Sequence, residues 1–180
     1  MLRFSIIIAT LHDDGELTLC LDSLTKLNKE PCFEVIIVDQ NNDDRLIEVI
    51  KLYTNRLDIR HHQVAFKAAS RARNLGAQLA RGEWVGFPDD DCQFMPDTLI
   101  EIEKLARQSQ IRVITGQTVD ESGSPNLVRW QQEPTFFSRW TMFGCLVEAT
   151  MYVRRDLFLK VHGFDERFGP GAPFPAAEGI

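Results

Sequence analysis

Apolar residues in the first two thirds of the chain occur in short continuous runs separated by stretches of helical periodicity. Two of these runs, Phe4–Thr10 and Phe33–Asp39, are rich in isoleucine and valine and end on polar residues. Runs of this length and composition predict strands that are buried on both faces, as in a parallel sheet. Further strands are predicted over 83–87 and 111–119, with a weaker one over 58–64.

Leucine, isoleucine and alanine recur every three or four positions between these runs, which predicts amphipathic helices. The helical positions cluster at 17–27, 46–53, 67–81 and 96–105. This alternation of strands and helices predicts an α/β fold with an open, mostly parallel, Rossmann-like sheet flanked by helices. A last strand is predicted over 144–154, followed by a loop rich in glycine and proline.

The composition narrows the class of protein. The 180 residues are 44% hydrophobic and 26% charged, which excludes a disordered, collagenous or coiled-coil chain. The net charge of −6 argues against sequence-independent binding to nucleic acid. Four widely spaced cysteines predict free thiols in a reducing compartment. With no long apolar run, we expect a cytoplasmic protein, soluble or peripheral at the inner face of the membrane.

Polar residues directly follow three of the predicted strands. Thr10 ends the first strand, Asp39 ends the second, and Asp89, Asp90 and Asp91 follow the strand at 83–87. Ligands of open parallel sheets bind at the carboxyl ends of the strands. Three consecutive carboxylates repel one another unless a hard divalent cation such as Mg²⁺ or Mn²⁺ binds them. The alternative is a solvated acidic turn that caps the following helix.

The first predicted strand is not followed by a glycine-rich loop of the kind that binds phosphate. Neither a P-loop nor a G-x-G-x-x-G motif follows the first strand. A metal ion together with basic residues would serve instead, because both neutralise diphosphate charge. Arg71 and Arg73 on the predicted helix at 67–81 are the candidates, and the alternative for each is an ordinary exposed charge.

Five segments in order give the chain its resemblance to family 2 glycosyltransferases of the GT-A fold. They lie at 4–10, 34–39, 69–76, 82–91 and 163–169. The third resembles the family's Ala-Arg-Asn helix, and the fourth resembles its D-x-D metal motif. Ala9 stands where the family usually has proline, and Gln40 begins a stretch where it usually has Asp-Gly-Ser.

The resemblance implies roles for individual residues. Those implied to bind the nucleotide sugar are Thr10, Asp39, Arg73, Asp89 and Asp90. Asp39 would accept a hydrogen bond from the base or ribose, and Asp90 would face the ribose. Asp91 and Asp89 would hold the Mn²⁺ or Mg²⁺ that bridges the diphosphate. Arg73 would lie near the base or the diphosphate.

An inverting transfer needs a general base that deprotonates the acceptor hydroxyl. The family usually supplies it from an acidic pair downstream of the fifth segment. Glu178 matches the glutamate of that pair, but Gly179 stands where the aspartate should be. Glu178 is therefore the candidate base. Asp165 and Glu166 are weaker candidates, for which a structural turn is the alternative.

Several other side chains have two interpretations. Five aromatic residues could line an acceptor site or form a small core under a loop: Trp130, Phe136, Phe137, Trp140 and Phe143. Glu148 lies on the strand predicted over 144–154 and could approach the acceptor. We expect His61 and His62 to sit at a strand edge without a chemical role.

The resemblance covers essentially the whole chain and implies a single GT-A domain over 1–180. Residues 1–119 would form its nucleotide-sugar-binding half and 120–180 the start of an acceptor-side half. The chain ends within a glycine- and proline-rich loop, so we expect the domain to continue past Ile180.

The implied function is metal-dependent transfer of a sugar from a nucleotide-diphosphate donor to a saccharide or lipid-linked acceptor, in surface polysaccharide biosynthesis. One alternative is a non-catalytic nucleotide-sugar-binding domain, which the loss of the aspartate at Gly179 favours. A second is a nucleotidyltransferase, which usually has a basic glycine-rich loop after its first strand. The sequence does not indicate an oligomeric state.

Overall fold

A six-stranded mixed sheet organises the molecule. The structure, a computed structural model, describes residues 3–12, 15–28, 30–120, 122–126, 134–142 and 145–175. The strands are β1 (Phe4–Thr10), β2 (Phe33–Asp39), β3 (Ile59–Gln63), β4 (Trp84–Gly86), β5 (Val113–Ile114) and β6 (Tyr152–Arg154). Their spatial order is β3-β2-β1-β4-β6-β5. The first four strands are mutually parallel, and β6 runs antiparallel to both of its neighbours.

Five α-helices among the described residues cover the two faces of the sheet. They are α1 (Gly15–Thr25), α2 (Arg45–Lys51), α3 (Ala69–Leu79), α4 (Thr98–Ala106) and α5 (Arg155–Lys160). The predicted α/β class and mostly parallel sheet are confirmed. None of the helices in the described part of the chain combines the length and the apolar character needed to cross a membrane.

The sheet separates two hydrophobic clusters. Ile6 and Ile8 of β1 pack with buried side chains of α1, α2 and α4 on one face. Ile7 of the same strand points the other way and packs with Ala72 and Ala77 of α3. Because successive side chains alternate between faces, a strand covered on both sides must be apolar at every position. This explains the continuous isoleucine run of β1.

Small residues let α3 approach the sheet closely. A Cβ built on Gly76 would lie 2.3 Å from Cγ2 of Ile7, so no larger residue fits without a shift of the strand or helix. The sequence predicted this close packing from the alanines and glycine of the helix. The approach matters for function because α3 also borders the carboxyl edge of the sheet.

The strands predicted over 111–119 and 144–154 are much shorter than expected. Only β5 and β6 form there, and Glu148 belongs to the short 3-10 helix Glu148–Thr150 instead of a strand. The Thr150 hydroxyl lies 3.0 Å from that of Thr115 and accepts from the Gly116 N–H, so side-chain contacts replace the ladder beyond β5. Pro88 comes just after β4. It has no N–H, so it cannot donate a hydrogen bond that would extend the pairing between β4 and β6. Helix α5, which directly follows β6, was not predicted.

Candidate functional site

The carboxyl ends of β1 and β2 bring two of the predicted site residues side by side. Thr10 and Asp39 are register partners in the parallel pair, and each is 1% exposed. The Gln40 N–H donates to the Thr10 carbonyl at 3.0 Å, and the Val64 N–H donates to the Asp39 carbonyl at 2.8 Å. These backbone bonds tie the residues that follow β2 and β3 to the same edge.

Three donors hold the Asp39 carboxylate. Its Oδ1 accepts hydrogen bonds from the backbone N–H and the side-chain amide of Asn41, both at 2.9 Å. Its Oδ2 lies 3.0 Å from Nε2 of His61 on β3. A carboxylate oxygen accepts from an N–H, so this contact is a hydrogen bond when the imidazole carries its hydrogen on Nε2. His61 thus contacts Asp39, although the sequence indicated no chemical role for it.

The Thr10 hydroxyl is a second feature of this edge. Its Oγ1 is buried and has no hydrogen-bond partner among the described residues. Leaving a buried hydroxyl without a partner costs free energy, so such a group commonly serves a ligand or a water. Thr10 therefore offers an unused donor and acceptor beside the Asp39 carboxylate.

Gln40 and Asn41 stand where the family usually has Asp-Gly-Ser, and their side-chain oxygens accept hydrogen bonds from backbone N–H groups. The Gln40 side-chain carbonyl accepts from the N–H of Ala68 at 2.7 Å, just before α3. The Asn41 side-chain carbonyl accepts from the N–H of His12 at 2.8 Å. His12 has φ 74°, in the left-handed region. The two amides therefore connect the loops after β1, β2 and β3.

Arg73 on α3 reaches the acidic segment after β4. Its guanidinium lies 2.5 Å from Oδ1 of Asp89, and the arginine is only 5% exposed. Arg71, two residues earlier, is exposed and stacks its guanidinium over the Phe66 ring at 4.1 Å. Of the two candidate arginines, Arg73 is the one that the helix places beside the aspartates.

The acidic segment itself forms a compact cluster. One ligand atom each from Asp89, Asp91 and Cys92 lies within 4.8 Å of the others. The Cys92 N–H donates to the Asp89 carbonyl, which closes the turn. Burial is the main cause that raises the pKa of the Cys92 thiol to about 11, and the neighbouring carboxylates act in the same direction. Asp90, between them, is half-buried.

This cluster fits a hard divalent cation. Two carboxylates one residue apart supply the oxygen ligands that Mg²⁺ and Mn²⁺ prefer. Asp91 is exposed, so the site is open to solvent and to a second set of ligands. Asp89 and Asp91, the predicted ligands, are thus close enough to share one ion, with Cys92 as an additional neighbour that was not predicted.

Helix α3 also holds the segment at 163–171. Asn74, 6% exposed, accepts from the Phe164 N–H and donates to the Phe164 carbonyl, both at 2.9 Å. Its amide also lies 3.1 Å from Oε1 of Glu166. Gly163 has φ +73°, and a Cβ there would lie 2.3 Å from Oδ1 of Asn74. The Ala-Arg-Asn and Gly-Phe-Asp-Glu segments of the sequence are therefore in direct contact.

The candidate bases differ in their surroundings. Asp165 pairs with the Arg167 guanidinium, and hydrogen bonds from Arg167 lower its pKa to about 2. A carboxylate with so low a pKa is a weak base at neutral pH. The Glu166 carboxylate accepts a hydrogen bond from the Asn74 side-chain amide. Glu178 lies outside the described residues.

The aromatic residues of the irregular region are mostly exposed where they are described. Phe136 is 77% exposed and Trp140 is 79% exposed, with the Arg139 guanidinium over the Trp140 ring. These two side chains do not form a core under the loop. Trp130 and Phe143 lie outside the described residues.

Comparison with known families decides the class of the molecule. A family model described as "Glycosyl transferase family 2" matches residues 5–164. The chain belongs to the family 2 glycosyltransferases. The match runs from Ser5 in β1 to Phe164, so it includes the acidic cluster and the Phe164 backbone that Asn74 binds.

Two curated members of the family illustrate the likeness in sequence. The chain is 30% identical over 102 residues to the poly(ribitol-phosphate) β-N-acetylglucosaminyltransferase TarS of Staphylococcus aureus, covering 55% of this chain and 18% of TarS. It is 34% identical over 97 residues to the hyaluronan synthase of Pasteurella multocida, covering 53% of this chain and 10% of that protein. The chain thus spans less than a fifth of the length of these relatives.

Solved structures show the same fold. S. aureus TarS 1–349 in complex with UDP-GlcNAc superposes with a TM-score of 0.73 at 24% identity, over 89% of this chain and 48% of that one. The mannosyltransferase PcManGT from Pyrobaculum calidifontis, in complex with GDP-Man and Mn²⁺, gives a TM-score of 0.71 at 17% identity, over 94% of this chain and 49% of that one. The GT-A fold of this chain is confirmed.

Proposed function

We propose that this chain supplies the donor-binding site of a metal-dependent, inverting glycosyltransferase. The enzyme would transfer a sugar from a nucleotide-diphosphate donor to a saccharide or lipid-linked acceptor in surface polysaccharide biosynthesis. Family membership supports the reaction class, and the names of the relatives support a uridine-diphosphate sugar as donor. The observation that carries the proposal is the meeting of Thr10, Asp39, Arg73 and the acidic cluster around the carboxyl edge of one sheet.

Each side chain has a role in this proposal. Thr10 and Asp39 bind the nucleoside, because the first offers a free hydroxyl and the second a carboxylate that is fixed as an acceptor. Asp90 faces the ribose. Asp89 and Asp91 hold Mn²⁺ or Mg²⁺, which neutralises diphosphate charge as the sugar departs.

Arg73 complements these acids. Its guanidinium is buried and oriented by Asp89 before any ligand binds, so little side-chain entropy is lost when it meets a diphosphate oxygen. A preorganised cation at the point where negative charge develops on the leaving group favours the transition state over the ground state. We infer that Arg73 stabilises the departing nucleotide in this way.

Glu178 is the proposed general base, which removes the proton of the acceptor hydroxyl on the far side of the sugar. Asp165 is the weaker candidate, because the Arg167 guanidinium keeps its pKa low. In this proposal the protein acts in the cytoplasm or at the inner face of the membrane.

Hydrolysis of the donor tests this function without knowledge of the acceptor. UDP-GlcNAc with Mn²⁺ should slowly release UDP in the presence of the chain, and chelation of the metal should stop the release. Asp91→Ala should reduce the rate by at least about tenfold, because one charged metal ligand is lost. Glu101→Ala is the matched control, since it removes an exposed acid from α4.

The alternatives give distinct results. Donor binding without any hydrolysis or transfer would favour a non-catalytic domain. Pyrophosphate release from a nucleoside triphosphate and a sugar phosphate would favour a nucleotidyltransferase. Equal rates for Asp91→Ala and the wild type would contradict the proposed metal site.

A further inference from the structure

We propose that His61 is a positioning residue that keeps the Asp39 carboxylate oriented for a nucleobase with a ring N–H, such as uracil. This inference rests on the proposed function, since it assumes that Asp39 faces the base. It assigns the selectivity for that base to a pair of side chains on two neighbouring strands.

The register of β2 and β3 makes the contact. Asp39 pairs with Gln63, so His61 lies opposite Ile37, two residues back along the same face of the sheet. From there the imidazole extends along the strand to Oδ2 of Asp39 at 3.0 Å. His62 projects from the opposite face, because side chains alternate along a strand.

The described hydrogen bonds of the Asp39 carboxylate leave one of its acceptor positions unused. An ionised carboxylate has about four acceptor positions on its two oxygens. Two on Oδ1 are used by Asn41 and one on Oδ2 by His61. One position on Oδ2 remains for a ligand donor, next to the unpartnered hydroxyl of Thr10.

The burial of Asp39 makes these donors necessary. A carboxylate that is 1% exposed has lost most of its hydration, so hydrogen bonds from the protein must replace it. Loss of the His61 N–H removes the donor on the oxygen that faces the ligand and leaves the carboxylate free to tilt. A carboxylate that is fixed as an acceptor attracts the N3–H of uracil and repels the N3 lone pair of cytosine, which carries no hydrogen.

The test compares UDP with CDP in calorimetric titrations at fixed Mn²⁺. Wild type should bind UDP more tightly than CDP. His61→Leu should weaken UDP binding by about tenfold, the usual scale for a lost hydrogen bond to a charged group. CDP should be affected much less, so the ratio of the two affinities should fall.

Two further variants separate positioning from a merely structural role. His61→Gln places an amide N–H close to the position of Nε2 and should restore most of the UDP affinity and the UDP-to-CDP ratio. His62→Leu, at the adjacent position on the other face of β3, should bind both nucleotides as the wild type does. Thermal unfolding of each variant checks that it is folded.

The possible failures are distinguishable. If the wild type binds UDP and His61→Leu keeps its affinity and ratio, the role of His61 is overturned while the proposed function stands. If His61→Leu loses UDP and CDP equally and His61→Gln restores neither, His61 is only structural and the inference fails. If the wild type binds neither nucleotide, both the inference and the proposed function fail.

Discussion

The two edges of the sheet hold carboxylates in contrasting surroundings. At the amino edge, Glu34 is fully buried, and its oxygens accept from the Ser5 hydroxyl, the Arg81 N–H and the Arg81 guanidinium at 2.7 to 2.8 Å. At the carboxyl edge, Asp89 and Asp91 are at least partly exposed, and their carboxylates lie close to each other and to the Cys92 thiol. The first carboxylate has its hydrogen bonds within the chain, whereas the second pair lies close enough together to share a metal ion.

The pKa of Glu34 reflects this arrangement. Burial alone would raise it, but the hydrogen bonds from Ser5 and Arg81 outweigh burial and lower the pKa below the ordinary glutamate value. The Ser5 hydroxyl also accepts from the Gly82 N–H at 2.8 Å, so the network joins β1, β2 and the end of α3. Charge at the amino edge therefore contributes to stability, and we propose that charge at the carboxyl edge contributes to binding.

The largest effect on stability should come from Glu34→Ala. It leaves the Ser5 hydroxyl and the Arg81 guanidinium without their shared acceptor, which should lower the free energy of unfolding by about 3 kcal/mol. Asp91→Ala is the control at the other edge and should change it by less than about 0.5 kcal/mol. Urea denaturation measures both. Equal losses would remove the distinction between the edges.

A smaller loss is expected at Asn74, a buried polar residue that lies beside the site but is satisfied as Glu34 is. Asn74→Ala leaves the N–H and carbonyl of Phe164 without partners, at a cost of about 2 kcal/mol in unfolding free energy. Cleavage within 163–171 should also become faster in limited proteolysis. Gln78→Ala, one turn along α3 and exposed, is the control. Unchanged proteolysis in Asn74→Ala would show that this contact does not hold the segment.

Much of this arrangement could be predicted from sequence. Strands β1 and β2 have the predicted bounds because sheets covered on both faces demand unbroken apolar runs. Thr10, Asp39 and the aspartates after β4 were predicted to share an edge, because parallel strands end on the same side. These inferences need only the local pattern and the direction of each strand.

Other features depend on contacts that no local pattern encodes. The pair of His61 and Asp39 requires the register between β2 and β3, which is set by packing. Asn74 and Phe164 are 90 residues apart in sequence. The apolar run before β6 wrongly predicted a longer strand, because the chain there forms the 3-10 helix Glu148–Thr150 and Thr150 contacts Thr115 through its side chain.

The smallest effect on stability is expected at Thr10, where the sign should reverse. Thr10→Val removes a buried hydroxyl that has no described partner, so unfolding free energy should stay the same or rise by up to about 1 kcal/mol. Affinity for UDP should fall severalfold in calorimetry because a ligand contact is lost. Ser5→Ala at the amino edge should instead destabilise the protein and leave affinity unchanged. A clear loss of stability in Thr10→Val would mean that its hydroxyl already serves the fold.

We propose that the carboxyl edge binds a nucleotide diphosphate through a metal ion. The most direct measurement is the thermal unfolding midpoint of wild type and Asp91→Ala, with UDP alone, Mn²⁺ alone and both. UDP at about 100 times its Kd should stabilise the wild type by roughly 2.7 kcal/mol when Mn²⁺ is present. Asp91→Ala should have the same midpoint without ligand and lose most of this gain. A gain that is equal in both proteins, or absent from the wild type, would contradict the account.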